Sequence, residues 1–229
     1  MEDIASKISG PDKSYLAFFD LDETIISKTS GSSIVRESYR RGIMGRRGLM
    51  KAAYLSMLYK TGFKNTLTII HEMISWLAGF SEEAFLKLSS EVCSDILIPS
   101  IHNEVRDELT FHREQNAKVI LLSSALKPIC IQIADHLGMD DVICSELEVM
   151  GGLFTGRPLG RPCFEEEKAI RLMAYCKTSG ADLEDTWYYG DSIADRHVLS
   201  VAGNPVCVNP DKKLRKIAEA NKWKIYEWH

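Results

Sequence analysis

The hydrophobic positions of this chain fall into two regimes. In the first, an unbroken apolar run, Leu16-Ala17-Phe18-Phe19, stops on Asp20 and is followed by Asp22 and Thr24. Four consecutive apolar residues suit a strand covered on both faces of a parallel sheet, where no apolar–polar alternation is needed. Similar short runs recur at 119–122, 186–190 and 205–208, with a short strand pattern at 141–145. Helical patterns at 101–116, 128–138, 164–176, around 197–199 and at 211–221 lie between or after them. This alternation predicts an α/β fold with a Rossmann-like parallel-sheet core. Residues 147–150 and 153–155 flank Gly151-Gly152, which predicts a hairpin with a two-residue turn.

The second regime runs from about 31 to 98 and shows helical spacing only, broken at Gly42-Ile43, Gly62-Phe63 and Gly79-Phe80-Ser81. Ser81 with Glu82 and Glu83 after it predicts a capped helix start with acids in the first turn. The reading is a bundle of about four helices inserted into the core. The core is then 1–27 plus 99–229, and the helical cap is 28–98. Residues 1–13 read as a loose or short helical lead-in. Leu49, Met50, Ala53, Tyr54, Met57 and Leu58 recur at helical spacing and are expected in the bundle core.

The strand ends carry the candidate chemistry. Asp20 and Asp22 fall at the rim where open α/β sheets bind ligands, and burying them requires a cation or a proton. The second run ends in Ser123-Ser124-Ala125, Lys168 sits in a helical pattern, and the third run ends in Gly190-Asp191-Ser192-Ile193-Ala194-Asp195. Each feature alone has a plain structural reading. Lys168 suits a solvated helix beside Glu165, Glu166 and Glu167, and Ser123 or Asp191-Ser192 suits a helix cap. Taken in order, the set resembles the four motifs of the haloacid dehalogenase-like (HAD) hydrolases: DxDxT, a serine after the second strand, a lysine, and GDSxxD. The long insert after the first motif resembles the branch that contains the phosphoserine phosphatases.

That resemblance implies roles. Asp20 attacks phosphorus and forms an aspartyl-phosphate, while Asp22 protonates the leaving group and then activates water. Mg2+ is held by Asp20, Asp191 and the main-chain carbonyl of Asp22. Ser123, Ser124 and Lys168 bind the phosphoryl group, Asp195 orients Lys168 or a metal-bound water, and Thr24 fixes the loop that carries Asp22. Several such parts are needed at once, because phosphomonoester hydrolysis requires rate enhancements of up to about 10^21. An acid at position 22 points to phosphatase or phosphomutase chemistry, and the position of the insert favours phosphatase. Three readings stand beside it: phosphoserine phosphatase proper, a phosphotransferase or phosphomutase on the same scaffold, and a non-catalytic phosphate-binding module.

Composition narrows this further. A net charge of -4 over 229 residues argues against a protein that is basic throughout, so nucleic acid is not an expected partner. Six scattered cysteines without a CxxC pair suit reduced thiols, and six histidines show no ligand spacing. The polar start has no apolar signal-peptide core, and no stretch is long enough to span a membrane, so the cytoplasm is expected. From 28 to 72, nine Lys and Arg face only Glu37 and Glu72. This suits a solvated helix face, the grip of an anionic small metabolite, or, with the nearby apolar residues, an amphiphilic phosphate or a membrane surface. Phosphoserine phosphatases carry a glutamate nine positions after the nucleophile, where this chain has Thr29. Thr29, Arg36 and Arg40 are therefore read as substrate-selecting, with L-phosphoserine a mediocre substrate unless Glu37 supplies the carboxylate.

Overall fold

The computed structural model describes residues 15–61 and 66–229; the expected lead-in at 1–13, the Gly62-Phe63 break and Lys64 lie outside them. The predicted strand β1 (Leu16–Phe19) lies in the middle of a six-stranded sheet. Its neighbours are β2 (Lys118–Leu126) on one side and β6 (Trp187–Gly190) on the other, both parallel to it. Outside them lie β3 (Asp141–Ser145) beyond β2, then β7 (Asn204–Val208) and β8 (Lys224–Tyr226) beyond β6. The chain thus builds the sheet outward from β1 to one side and then to the other. The end of β1 is therefore the switch point at which such sheets open a crevice.

Side chains from β1 alternate between two apolar layers. Ala17 and Phe19 join Val119, Leu121 and Tyr189 on one face, against helices α5 (Glu104–Glu114) and α6 (Lys127–Leu137). Leu16 and Phe18 join Ile120, Leu122 and Tyr188 on the other. That face packs against α7 (Glu166–Ser179), α8 (Arg196–Val201) and α9 (Lys212–Asn221). Phe18 and Phe19 are fully buried, worth roughly 1.5–3 kcal/mol each. α5 starts later than the helical pattern predicts, because Ile101 pairs with Ile26 and the His102 amide donates to the Ile25 carbonyl.

One buried polar chain crosses the first layer. The Tyr15 hydroxyl bonds His112 Nδ1 at 2.9 Å and His112 Nε2 bonds the Tyr189 hydroxyl at 2.7 Å, which in turn donates to Glu108. A single tautomer satisfies the whole chain if Tyr15 donates and Nε2–H donates onward. Tyr189 also stacks on Phe19, with ring centroids 4.2 Å apart. Burial, with Lys224 adding to it, pushes His112 down to about 3.

Between β1 and α5 the regular elements among the described residues are helical: α1 (Ser30–Arg40), α2 (Arg46–Thr61), α3 (Thr66–Ile74) with a 3-10 turn after it, and α4 (Glu82–Val92), then one π-helical and one 3-10 turn to Ser100. Ser81 caps α4 by accepting the Ala84 amide. One expectation is corrected here. Met50, Tyr54 and Met57 are 67%, 53% and 56% exposed, so they are not bundle core. The spacing is helical, but α2 packs on α1 and α3 through the opposite face, where Leu55 is buried. Periodicity identifies a face of a helix; it does not say which face turns inward when both are apolar.

The hairpin β4 (Leu147–Met150) and β5 (Leu153–Pro158) forms its own two-stranded sheet and packs Phe154, Leu147 and Val149 into the first apolar layer. It is bonded to the helical insert: Gly79 N–H donates to Phe154 O at 2.8 Å, Phe154 N–H to Phe80 O at 3.0 Å, and Glu82 N–H to Gly152 O at 3.0 Å. Gly156, at φ 77°, lets the strand approach closely; a Cβ there would lie 2.9 Å from Ala78 Cβ. All six cysteines are free and buried.

Candidate active site

β1 delivers Asp20 to the sheet edge, where its amide donates to Tyr189 O and its carboxylate accepts the Leu21 amide at 2.8 Å. The turn that follows carries Asp22, then Glu23 at φ 59°, and closes with Ile25 and Ile26 amides on Leu21 O. Asp22 is held by Ser30, the first residue of α1, whose amide and hydroxyl donate to its two carboxylate oxygens at 2.8 and 2.9 Å. Burial pushes the Asp22 carboxyl up to about 7; the bonds from Ser30 pull against this and Asp20 adds to it.

α7 brings Lys168 to the same edge from the opposite layer. Its ammonium lies 2.9 Å from Asp20 Oδ2 and 2.7 Å from Asp195 Oδ1, and it donates to the Tyr188 hydroxyl at 3.1 Å. Burial works against the Lys168 charge, but Asp195 and Asp20 outweigh it and hold the ammonium well above the ordinary lysine value. The solvated-lysine reading of Lys168 is thereby removed: its side chain is 3% exposed. The helix starts after Glu165, whose φ of 47° is rare for a side-chain-bearing residue.

β6 ends in Gly190, and the loop beyond it carries Asp191 and Asp195. Thr24 Oγ1 donates to Asp191 at 3.3 Å, and the Asp191 carbonyl accepts the Asp211 amide at 2.8 Å. A Cβ on Gly190 would lie 2.9 Å from Asp195 Oδ2, so only glycine leaves this carboxylate its place. Carboxylate oxygens of Asp20, Asp191 and Asp195 lie within 4.8 Å of one another, all three buried. Burial pushes the Asp191 carboxyl well above its usual range, with Asp195 and Asp20 adding to it. Burial likewise raises Asp20, against the pull of Lys168. Hard oxygen donors that resist ionising together fit a hard divalent cation such as Mg2+.

Ser123 and Ser124 lie within β2, which runs on past them to Leu126. The register Phe19↔Leu121 places Ser123 two residues past the pair beside Asp20. Ser123 is fully buried and accepts the Ala125 amide at 3.3 Å; Ser124 is half-buried. The substrate-selecting residues lie on α1. Thr29 precedes it, its hydroxyl 2.6 Å from that of Ser32. Arg36 is exposed, and Arg40 makes two hydrogen bonds to Glu37, which Arg41 also binds. Those bonds hold Glu37 down to about 2 and occupy the carboxylate considered as a replacement for the missing glutamate. A cavity of about 490 Å3 between α6, β3 and α7 is not lined by any of these carboxylates.

Three residues of the cluster escape a reading of the sequence: Ser30, Tyr188 and Asp211. Asp211 Oδ2 accepts the Ile193 amide at 2.8 Å and fixes the 191–195 loop. A helix N-cap signature marks Asp211, but nothing in the sequence ties it to that loop. Tyr188 and Tyr189 are adjacent in an all-apolar strand, and no pattern tells which faces α7.

The fold and the clustered acids around one buried lysine define a hydrolase built on an α/β, Rossmann-like sheet. A family model described as haloacid dehalogenase-like hydrolase matches residues 17–200, and the chain belongs to that family. Within it, the chain is similar to phosphoserine phosphatase SerB1 of Mycobacterium tuberculosis, 27% identical over 93% of this chain and 70% of that one. It is also similar to histidinol-phosphatase of Neisseria meningitidis, 26% identical over 92% and 97% of the two chains. A solved structure from Bordetella pertussis Tohama I, of unknown function, superposes with a TM-score of 0.85 at 26% identity, covering 93% of this chain and 98% of that one.

Proposed function

We propose that the protein is a Mg2+-dependent phosphomonoester hydrolase that works through an aspartyl-phosphate on Asp20. The observation that carries this reading is the contrast between two acids one residue apart. Asp20 faces the Lys168 ammonium at 2.9 Å, whereas Asp22, held by Ser30, keeps a proton up to about pH 7. Acids whose surroundings differ in this way divide into a nucleophile and a proton donor. Asp20 forms the bond to phosphorus as the ester oxygen leaves, and Asp22 gives that oxygen its proton, a contribution of about 10^2 to 10^4 in rate. With its proton gone, Asp22 is the base for the water that releases phosphate. Lys168 balances the charge on the transferring group, and Ser123 with its neighbouring amides binds the phosphoryl oxygens. Asp20, Asp191 and the Asp22 carbonyl would hold Mg2+, which supplies charge neutralisation at the phosphoryl oxygens when bound. Thr24 keeps Asp191 in place and Asp195 keeps Lys168 in place.

The helices at 28–98 act as the cap of a core made of the remaining residues, in a soluble cytoplasmic enzyme. The substrate is a small phosphorylated metabolite, and amphiphilic phosphates are included because α2 presents Met50, Tyr54 and Met57 outward beside Arg46 and Arg47. L-phosphoserine is a mediocre substrate, since Thr29 offers no charge to an ammonium and Glu37 is already bound by two guanidinium groups. The test is turnover of p-nitrophenyl phosphate and a panel of amino-acid, sugar, nucleotide and lipid-headgroup phosphates, with Mg2+ and with excess EDTA. Absence of turnover across the panel rejects the hydrolase reading, and full activity in EDTA rejects the metal. Phosphate captured by added alcohol in preference to water would favour a phosphotransferase.

A further inference from the structure

We propose that Tyr188 is a positioning residue for the Lys168 ammonium, an inference that rests on the phosphotransfer reading of the site. An ammonium has three donors in a tetrahedral fork. In this structure they go to Asp20 Oδ2 at 2.9 Å, Asp195 Oδ1 at 2.7 Å and the Tyr188 hydroxyl at 3.1 Å. The Tyr188 hydroxyl donates its own proton to Asp195 Oδ1 at 2.9 Å, so Tyr188, Lys168 and Asp195 form a closed triangle. Asp20 is outside that triangle.

The surroundings show why the hydroxyl matters. Tyr188 lies in the layer formed by Leu16, Phe18, Ile120, Leu122 and Cys207, where phenylalanine would fill the ring's place equally well. Its oxygen is fully enclosed, and a buried hydroxyl is costly unless bonded. Both of its bonds go to the Lys168–Asp195 pair. A lysine tethered by Asp195 alone can swing about that contact on a four-carbon stem; a second anchor on a rigid central strand fixes its direction. The third donor is then aimed at Asp20 without help from substrate. When a phosphoryl group occupies that side, the ammonium meets it already oriented, and no rearrangement is needed as charge develops.

The test is Tyr188→Phe, which keeps the ring and removes one oxygen. The expected result is kcat for a phosphomonoester lowered about 10- to 100-fold, the size of one hydrogen bond to a charged group. KM should change by less than about threefold. In a Lys168→Met background the same substitution should have no further effect on kcat, because Tyr188 acts through the lysine. An unchanged kcat, or an equal loss in both backgrounds, overturns the proposal in favour of a packing role. A crystal structure of Tyr188→Phe supplies a readout that needs no activity. Lys168 Nζ displaced from Asp20 supports the inference even if the wild-type protein hydrolyses no phosphomonoester and the reading of the site fails. Lys168 Nζ unmoved overturns it whatever the kinetics.

Discussion

Ser30 grips Asp22 twice, its amide on one carboxylate oxygen at 2.8 Å and its hydroxyl on the other at 2.9 Å. The acid on the loop after β1 is thus fixed by the first residue of α1, where the helix dipole is positive. Both bonds favour the carboxylate and oppose the upward push of burial.

Removing the hydroxyl with Ser30→Ala should therefore raise the Asp22 pKa above about 7. One hydrogen bond of about 0.5–1.5 kcal/mol corresponds to about half to one pH unit. The basic limb of the kcat/KM profile, where the proton donor is lost, should move upward by that amount. A basic limb that stays in place would exclude Asp22 as the acid.

The two aspartates should fail differently. Asp20→Asn removes the nucleophile and should reduce turnover to background. Asp22→Asn should cost about 10^2 to 10^4 on an alkyl phosphate. With p-nitrophenyl phosphate, whose leaving group needs no proton, the first step should survive and phosphorylated enzyme should accumulate. Rapid-quench measurement of that species checks the assignment; near-native turnover by Asp20→Asn would remove the nucleophile from the account.

Thr29 makes a prediction about substrate choice. L-phosphoserine should have a lower kcat/KM than the best member of the panel. Thr29→Glu should improve phosphoserine relative to that best substrate, because a carboxylate restores a charge-assisted bond to an ammonium. If phosphoserine is already the best substrate of the wild type by about tenfold, the argument from position 29 is wrong.

The crowded acids should respond to metal. Mg2+ at about 100 times its Kd should stabilise the fold by about 2.7 kcal/mol, read as a rise in Tm over EDTA-treated protein. Asp191→Asn should abolish that increment. It should also leave the metal-free protein at least as stable as wild type, since burial already disfavours the Asp191 charge. A Tm indifferent to Mg2+ would mean that Asp20 and Asp191 hold no ion.

His112 sets an acid limit on stability. Its folded pKa, about 3, lies below the ordinary histidine value of 6.5, so the unfolded chain binds the proton first. The stability it contributes is complete above about pH 6.5 and is lost as pH falls toward 3, at up to about 1.4 kcal/mol per unit. Urea midpoints between pH 3 and 7 should fall accordingly, and His112→Asn should flatten the slope while lowering stability at neutral pH. A midpoint independent of pH below 6 would contradict the burial of this ring.

The parallel sheet is legible because strands covered on both sides must be apolar throughout. Leu16–Phe19 and 119–122 show that signature, and the acids that end the strands mark the rim. Asp20, Lys168, Asp191 and Asp195 meet because the strand order places those rims side by side. The rest depends on which way a side chain turns. Tyr188 and Tyr189 are identical neighbours with opposite duties, one bonding Lys168 and the other His112. Ser30 and Asp211 look like helix-start residues, and only tertiary packing gives them a second task. The apolar stripe of α2 has the period of a core face yet faces outward, because Leu55 on the other side also satisfies the packing.

The three backbone bonds between the β4–β5 hairpin and the 79–82 segment tie α1 through α4 and the hairpin into one body. Its helices are tethered to the sheet at two places, near 28 and near 98. The hairpin adds two more tethers, at its own ends next to Ser145 and Leu159. A body pinned at two tethers can swing about the line joining them; one pinned at four has little choice of axis left. A displacement of these helices must either break the three bonds or carry the hairpin along. Travel of the hairpin pulls on residues 159–165, the strand of chain that leads into the helix bearing Lys168. The helices at 30–92 and the Lys168 side chain are thus joined, through the hairpin, by one short stretch of chain.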